Sequence, residues 1–272
     1  MITQLRQRLL GLQRSPIGPG TRPLGIPAID AILGGGLIYG ALHEVAASGE
    51  AHFPTAMGFV LGLVAPPQIS GTTYRQQQQT LRNDGVCMQK GKSIVWLAED
   101  MVLVESGAPH GAGLDAFGIQ PEYLVTVLAM HRRDLLWAME EALRCRAVRA
   151  VIGELRAGAI DAVAVRRLSL AAVESGSLGL LLRTTPPNDA SAAATRWIVG
   201  TASKTSVIAG RERTRNDTKI KTRFTAQLVR NRRGPVGSWI LEWSESDGQF
   251  MLATHAQPVA VQAFDRPHRQ VA

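Results

Sequence analysis

The spacing of apolar positions changes several times along the chain, and the changes divide it. Over residues 1–14, Ile2, Leu5, Leu9 and Leu12 recur three and four apart, which predicts a short amphipathic helix. Ser15-Pro16-Ile17-Gly18-Pro19-Gly20 ends it, because two prolines and two glycines cannot continue a helix. From Leu24 the texture becomes alternating. Short apolar runs at 42–46, 94–98, 123–128, 149–152 and 178–183 predict strands. Helical spacing predicts helices over 55–65, stopped by Pro66-Pro67, from a cap at Asp134 to about Cys145, and from Asp161 to about Glu174, closed by Gly176. In the second of these, Leu135, Leu136, Met139 and Leu143 share the inner side. Residues 66–92 are polar and Gln-rich and read as a surface insertion. After residue 220 two runs, 224–230 and 238–243, flank a Gly-Pro turn and predict an antiparallel hairpin, with 250–254 as a third strand.

Strands separated by crossover helices imply parallel pairing, and strands this apolar suit a sheet covered on both faces. The expectation is an α/β fold: a mostly parallel central sheet flanked by helices, a C-terminal antiparallel hairpin and a short N-terminal helix. The expected organisation is a helix and linker over 1–21, one domain over 22–256 with a basic loop at 201–223, and a flexible tail over 257–272.

Composition narrows the classes. The chain has 272 residues, 45% of them hydrophobic, enough for one packed core. No apolar run reaches the roughly 18–20 residues of a membrane span, nothing at the N-terminus reads as a signal peptide, and no membrane partner is expected. Two cysteines, Cys87 and Cys145, have no metal-type or redox-type spacing, so a reducing cytoplasm is expected. The net charge is +8, and its location says more than its size. Residues 204–233 carry ten basic and two acidic side chains, and the rest of the chain balances. Such a field suits phosphate backbones or acidic protein faces, and also suits a solvated loop. Arg211, Arg213, Arg215, Lys219, Lys221 and Arg223 are the candidates for contacts to single-stranded DNA. Trp197, Phe224, Trp239 and Trp243 are candidates either for base stacking or for the core.

The most informative segment is 24–55, LGIPAIDAILGGGLIYGALHEVAASGEAHFPT. Ala28-Ile29-Asp30, the turn Gly34-Gly35-Gly36-Leu37, and Gly40 before a strand resemble the lead-in to the nucleotide loop of RecA-family proteins. That family continues with a glycine, four residues, then Gly-Lys-Ser/Thr, whose amides and lysine hold phosphates. This chain reads Ala46-Ala47-Ser48-Gly49-Glu50-Ala51-His52-Phe53-Pro54-Thr55, and has no lysine before residue 90. Ala47, Glu50, His52, Phe53 and Pro54 make the loop degenerate: the lysine is missing, Glu50 repels phosphate, and Pro54 lacks an amide donor. ATP hydrolysis is not expected, and neither a cofactor nor a metal is. Glu99 matches the position of a catalytic glutamate but has no phosphate to act beside, so a cap or an ion pair is its expected role. Gly153 or Glu154 falls where the family places a Mg²⁺-binding aspartate. His43 and Glu44, adjacent on a strand, point to opposite faces and cannot share a reacting atom.

Further blocks, LWAMEEALR (136–144), AVIGEL (150–155), RRLSLAA (166–172), SAAATRW (191–197) and GSWILEW (237–243), occur in an order that resembles the ImuA family, the RecA-like component of bacterial damage-inducible mutagenesis cassettes. The resemblance covers about residues 22–244. It implies a non-catalytic scaffold in SOS-induced translesion synthesis. Its partners would be an ImuB-type Y-family polymerase relative, a second DnaE-type polymerase, RecA and single-stranded DNA. Ile2, Leu5, Leu9 and Leu12 are the candidate partner-binding stripe. Two readings on the same fold stay open: a regulatory binder such as a cell-division inhibitor, and a weakly active DNA-dependent ATPase.

Overall fold

The computed structural model describes residues 20–66, 93–107, 109–156, 158–187, 191–202 and 222–253. The helix expected over 1–14, nearly all of the 66–92 insertion, most of the basic loop and the C-terminal tail lie outside these residues. The described chain begins with a small ribbon in which β1 (Thr21–Arg22) pairs antiparallel with β2 (Leu37–Ile38), so the fold takes in Thr21. Between them runs α1 (Pro27–Ile32), entered through a proline. Asp30 accepts the amides of Leu24 and Gly25, which fixes the entry to α1.

Nine strands form the main sheet: β3 (Ala41–Ala47), β4 (Ser93–Glu99), β5 (Leu124–Ala129), β6 (Val148–Leu155), β7 (Leu178–Arg183), β8 (Thr195–Thr201), β9 (Arg223–Asn231), β10 (Gly237–Ser244) and β11 (Gln249–Leu252). Their order across the sheet is β11-β10-β9-β8-β3-β7-β6-β4-β5. From β8 to β5 every pairing is parallel, and from β8 to β11 every pairing is antiparallel. The expected parallel sheet and C-terminal hairpin are both present. The alternating pattern left out β8, which joins the two halves.

Helices cover both faces. On one lies α2 (Phe53–Val64), packed on β3, β7 and β8. Phe59, Trp96, Trp197, Phe224, Trp243 and Phe250 form the aromatic centre of the core beneath it. Trp197 and Phe224 are fully buried and Trp243 nearly so, with Trp239 packed against them, so these aromatics belong to the core and are not available to stack on bases. On the other face lie α5 (Arg132–Arg144) and α6 (Ala162–Ser175), over a second core containing Leu135, Met139, Leu143, Leu168 and Leu181. Two short helices absent from the expectation, α3 (Asp100–Ser106) and α4 (Gly111–Asp115), follow β4. Asp161 caps α6 through the Val163 amide, and Gly176 closes it at a φ of 76°. Asp134 does not cap α5. His131 is the capping residue and Asp134 lies in the first turn, where a carboxylate favours the helix dipole.

Candidate functional site: a closed phosphate-loop position

β3 delivers the chain to the place where a RecA-type loop would wrap a phosphate. Ala47 ends the strand, a single 3-10 turn over Glu50–His52 follows, and α2 starts at Phe53 with Pro54 in its first turn. If Ala47 takes the place of the family's first glycine, His52 stands where the second glycine belongs, Phe53 where the lysine belongs and Pro54 where the Ser/Thr belongs.

The turn is folded down onto β8. The Ser48 amide donates to Val199 O (2.8 Å) and the His52 amide to Gly49 O (2.9 Å). Thr201 donates its amide to His52 Nδ1 (3.3 Å), and the Thr55 and Thr201 hydroxyls lie 2.7 Å apart. Gly200 permits this approach: a Cβ there would come within 2.5 Å of Ser48 Oγ. Two loop amides that could face an anion are thus spent inside the fold, and Glu50 adds a negative charge.

On that alignment the lysine position would hold an aromatic side chain. Phe53 is buried in the core, and the guanidinium carbon of Arg156 sits 4.6 Å from the centre of its ring. Arg156 Nε also donates to Glu154 Oε1 (3.1 Å), while Trp96 Nε1 donates to Glu154 Oε2 (3.1 Å). This resolves which strand residue faces the loop. Glu154 lies on the α2 side of the sheet, whereas Gly153 faces α5, where a Cβ would meet Met139 Sδ at 2.5 Å. A cavity of about 170 Å³ beside the pair is lined by Met57, Leu61, Trp96 and Leu114 as well as Glu154 and Arg156.

The other carboxylates are engaged in the same way. Glu99 at the end of β4 accepts from Arg132 Nε (3.3 Å), the ion pair expected of it. Glu44 is buried and accepts Ser191 Oγ and Arg196 Nε, both at 2.6 Å. His43, on the opposite face, contacts Thr195 and Ile38. Among the described residues no group of three or more His, Cys, Asp or Glu could hold a metal. No described helix is long and apolar enough to cross a membrane.

Of the six basic candidates, Arg223 is described. It opens β9 with its guanidinium 2.6 Å from Glu242 Oε1, so its charge is met within the sheet. Arg211, Arg213, Arg215, Lys219 and Lys221 lie outside the described residues, as do Ile2, Leu5, Leu9 and Leu12. The arginine partners of Glu44, Glu99 and Glu154 were not foreseen. Arg156 lies two residues from Glu154 and was within reach of the sequence, but Arg132 and Arg196 are brought in by strand order.

No family model matches the sequence. The crystal structure of the RadB recombinase superposes with a TM-score of 0.51 over 84% of this chain and 98% of that one, at 12% identity. That likeness shows a RecA-like fold and nothing finer. ImuA proteins from two strains of Caulobacter vibrioides are each 30% identical over 227 residues, 82% of this chain and 83% of theirs. At that identity and coverage, the chain belongs to the ImuA family.

Proposed function

We propose that this protein is a non-hydrolysing scaffold of damage-induced, error-prone DNA synthesis. It would hold together a Y-family polymerase relative of the ImuB type, a second DnaE-type polymerase and RecA. The observation that carries the non-catalytic part is Phe53, buried at the lysine position with Arg156 over its ring. A triphosphate placed there would lack the lysine, compete with internal bonds for amides, and face Glu50. The scaffold part rests on family membership and on a RecA-like sheet kept while its phosphate loop is closed.

Two measurements test the reading. Titration of the full chain with ATP and Mg²⁺ in a calorimeter should give no binding heat, and purified protein should release no phosphate with or without single-stranded DNA. Micromolar ATP binding or DNA-stimulated hydrolysis would sink the non-catalytic part. Tagged protein recovered from DNA-damaged cells should bring down both polymerases, and deletion of residues 1–14 should reduce that recovery. Recovery of a cell-division protein in their place would favour a regulatory binder on the same fold.

A further inference from the structure

The charge excess over 204–233 looks like one basic tract in the sequence, but its described members separate: Arg223 and the arginines at 230, 232 and 233 lie at opposite ends of one strand. β9 carries the chain from Arg223 to Asn231, about 27 Å at strand rise. Arg230, Arg232 and Arg233 are therefore delivered to the far end of the sheet, beside the Gly34 turn and away from the closed phosphate-loop position. The register places Asn231 opposite Thr195, the first residue of β8, while the closed loop touches Val199 and Thr201.

The turn that holds these arginines is rigidly mounted. Asn231 Nδ2 donates to Ile32 O (3.0 Å) and to Pro235 O (3.1 Å), which ties the hairpin to α1 and closes it on itself. The Arg233 amide donates to Asn231 Oδ1 (3.1 Å), and the Arg232 amide to Ala194 O (3.0 Å). The Arg233 guanidinium lies over Gly34, where a Cβ would stand 3.2 Å from it.

Several arginines of the fold are neutralised by carboxylates. Arg132, Arg144, Arg156, Arg167, Arg196 and Arg223 all meet glutamates. Among the described residues Arg230, Arg232 and Arg233 meet no carboxylate. Arg230 stands opposite Arg196 in the register, and Glu44 is already taken by Arg196.

We infer that the β9–β10 hairpin is a preorganised contact site for the phosphate backbone of a polynucleotide. Arg230 at the end of β9 and Arg232 and Arg233 in the turn that follows lie within four consecutive residues. Planar guanidiniums grip phosphate oxygens in bidentate fashion. The turn carries no aromatic side chain, so it contacts backbone and not bases, and binding is independent of sequence. An acidic protein is the less suited occupant. Protein interfaces need an apolar centre, and Val236 is the sole large apolar side chain in the 231–237 turn.

The test uses the full-length protein and a fluorescent 20-nucleotide oligo-dT, read by anisotropy over a salt series. R230A/R232A/R233A should bind roughly 100-fold more weakly at 0.1 M salt, with a salt slope smaller by about 2, as expected for three lost single-strand contacts. The matching triple Arg→Lys variant should keep the slope and lose affinity only in part. Arg232 and Arg233 are exposed, so the melting midpoint should be unchanged, and R232E alone provides a second reading in the same direction. Failure of the wild type to bind oligo-dT, or equal affinity and slope in the triple alanine variant, overturns the inference. So does a preference for a poly-glutamate peptide of equal charge, which would assign the hairpin to an acidic protein. The inference does not rest on the scaffold reading, and the polymerase pull-downs can fail without touching it.

Discussion

At the scale of single residues the fold is set by directional polar chains inside apolar surroundings. His43 is the clearest. Its Nε2 lies 3.0 Å from Ile38 O, which can only accept, so Nε2 carries the proton. Nδ1 must then accept from the Thr195 hydroxyl at 2.8 Å, and Thr195 Oγ in turn accepts from Trp197 Nε1 at 3.1 Å. Every group is satisfied with the ring neutral, and burial pushes the His43 pKa down to about 4. In the unfolded chain a histidine takes a proton near pH 6.5. Between these values the unfolded state binds more protons, so stability is full above about pH 6.5 and falls as pH drops towards 4, by up to about 3 kcal/mol. Urea midpoints measured from pH 7.5 to 5 should fall for the wild type. They should fall less for His43→Gln, which keeps a donor and an acceptor but does not titrate. Parallel slopes for the two proteins would refute the assignment. The sequence placed His43 and Glu44 on opposite strand faces, which period-two alternation fixes. It did not give their partners, because Thr195 and Arg196 on β8, and Ser191 just before it, lie about 150 residues away.

Elements were legible where their pattern is local. Strand β7 and the caps of α6 were read from the sequence because a run of leucines, an Asp and a left-handed Gly are local signals. The start of α5 was read late because His131 caps it by backbone geometry without a side-chain bond. Strand β8 was missed because it is buried on both faces along most of its length and so does not alternate. The run Trp197-Ile198-Val199 was the available signal. The end of α2 was legible from Pro66-Pro67, but the groups that meet its last carbonyls were not. That helix has no basic residue in its last turn, and its carbonyls are met from outside. Arg22 donates to Leu63 O (2.8 Å) and Gly62 O (3.4 Å), and Arg149 to Val64 O (2.7 Å). Burial lowers the Arg22 pKa to about 10, so it remains charged near neutrality and opposes the negative end of the helix dipole. Arg22→Ala should cost about 2 kcal/mol, the range for hydrogen bonds to a charged group, seen as a lower denaturant midpoint at unchanged slope. Arg22→Lys should recover part of this. An unchanged midpoint for the alanine variant would show that water caps α2 equally well.

For the whole molecule the governing fact is one sheet with a separate core on each face. The aromatic core lies under α2, and the aliphatic core lies under α5 and α6. Each strand from β3 to β7 contributes alternate residues to both, so neither face can lose its packing without disturbing strands the other needs. The tryptophans make this measurable. Trp96, Trp197, Trp239 and Trp243 belong to the α2 side, while Trp137, on α5, is 62% exposed. Tryptophan emission therefore reports mainly on one face, and far-ultraviolet circular dichroism on the helices of both. If the faces unfold as a unit, the two signals should give coincident thermal transitions. The stronger test perturbs the face that emission hardly sees. Leu135 is fully buried in the aliphatic core, and Leu135→Ala should cost about 3 kcal/mol through lost burial and the cavity left behind. That loss lowers the midpoint by about 6–10 °C for a domain of this size, and the tryptophan transition should move by the same amount as the dichroism transition. A tryptophan midpoint that stays put while the dichroism midpoint falls would mean that the two faces melt separately, with the sheet failing to couple them.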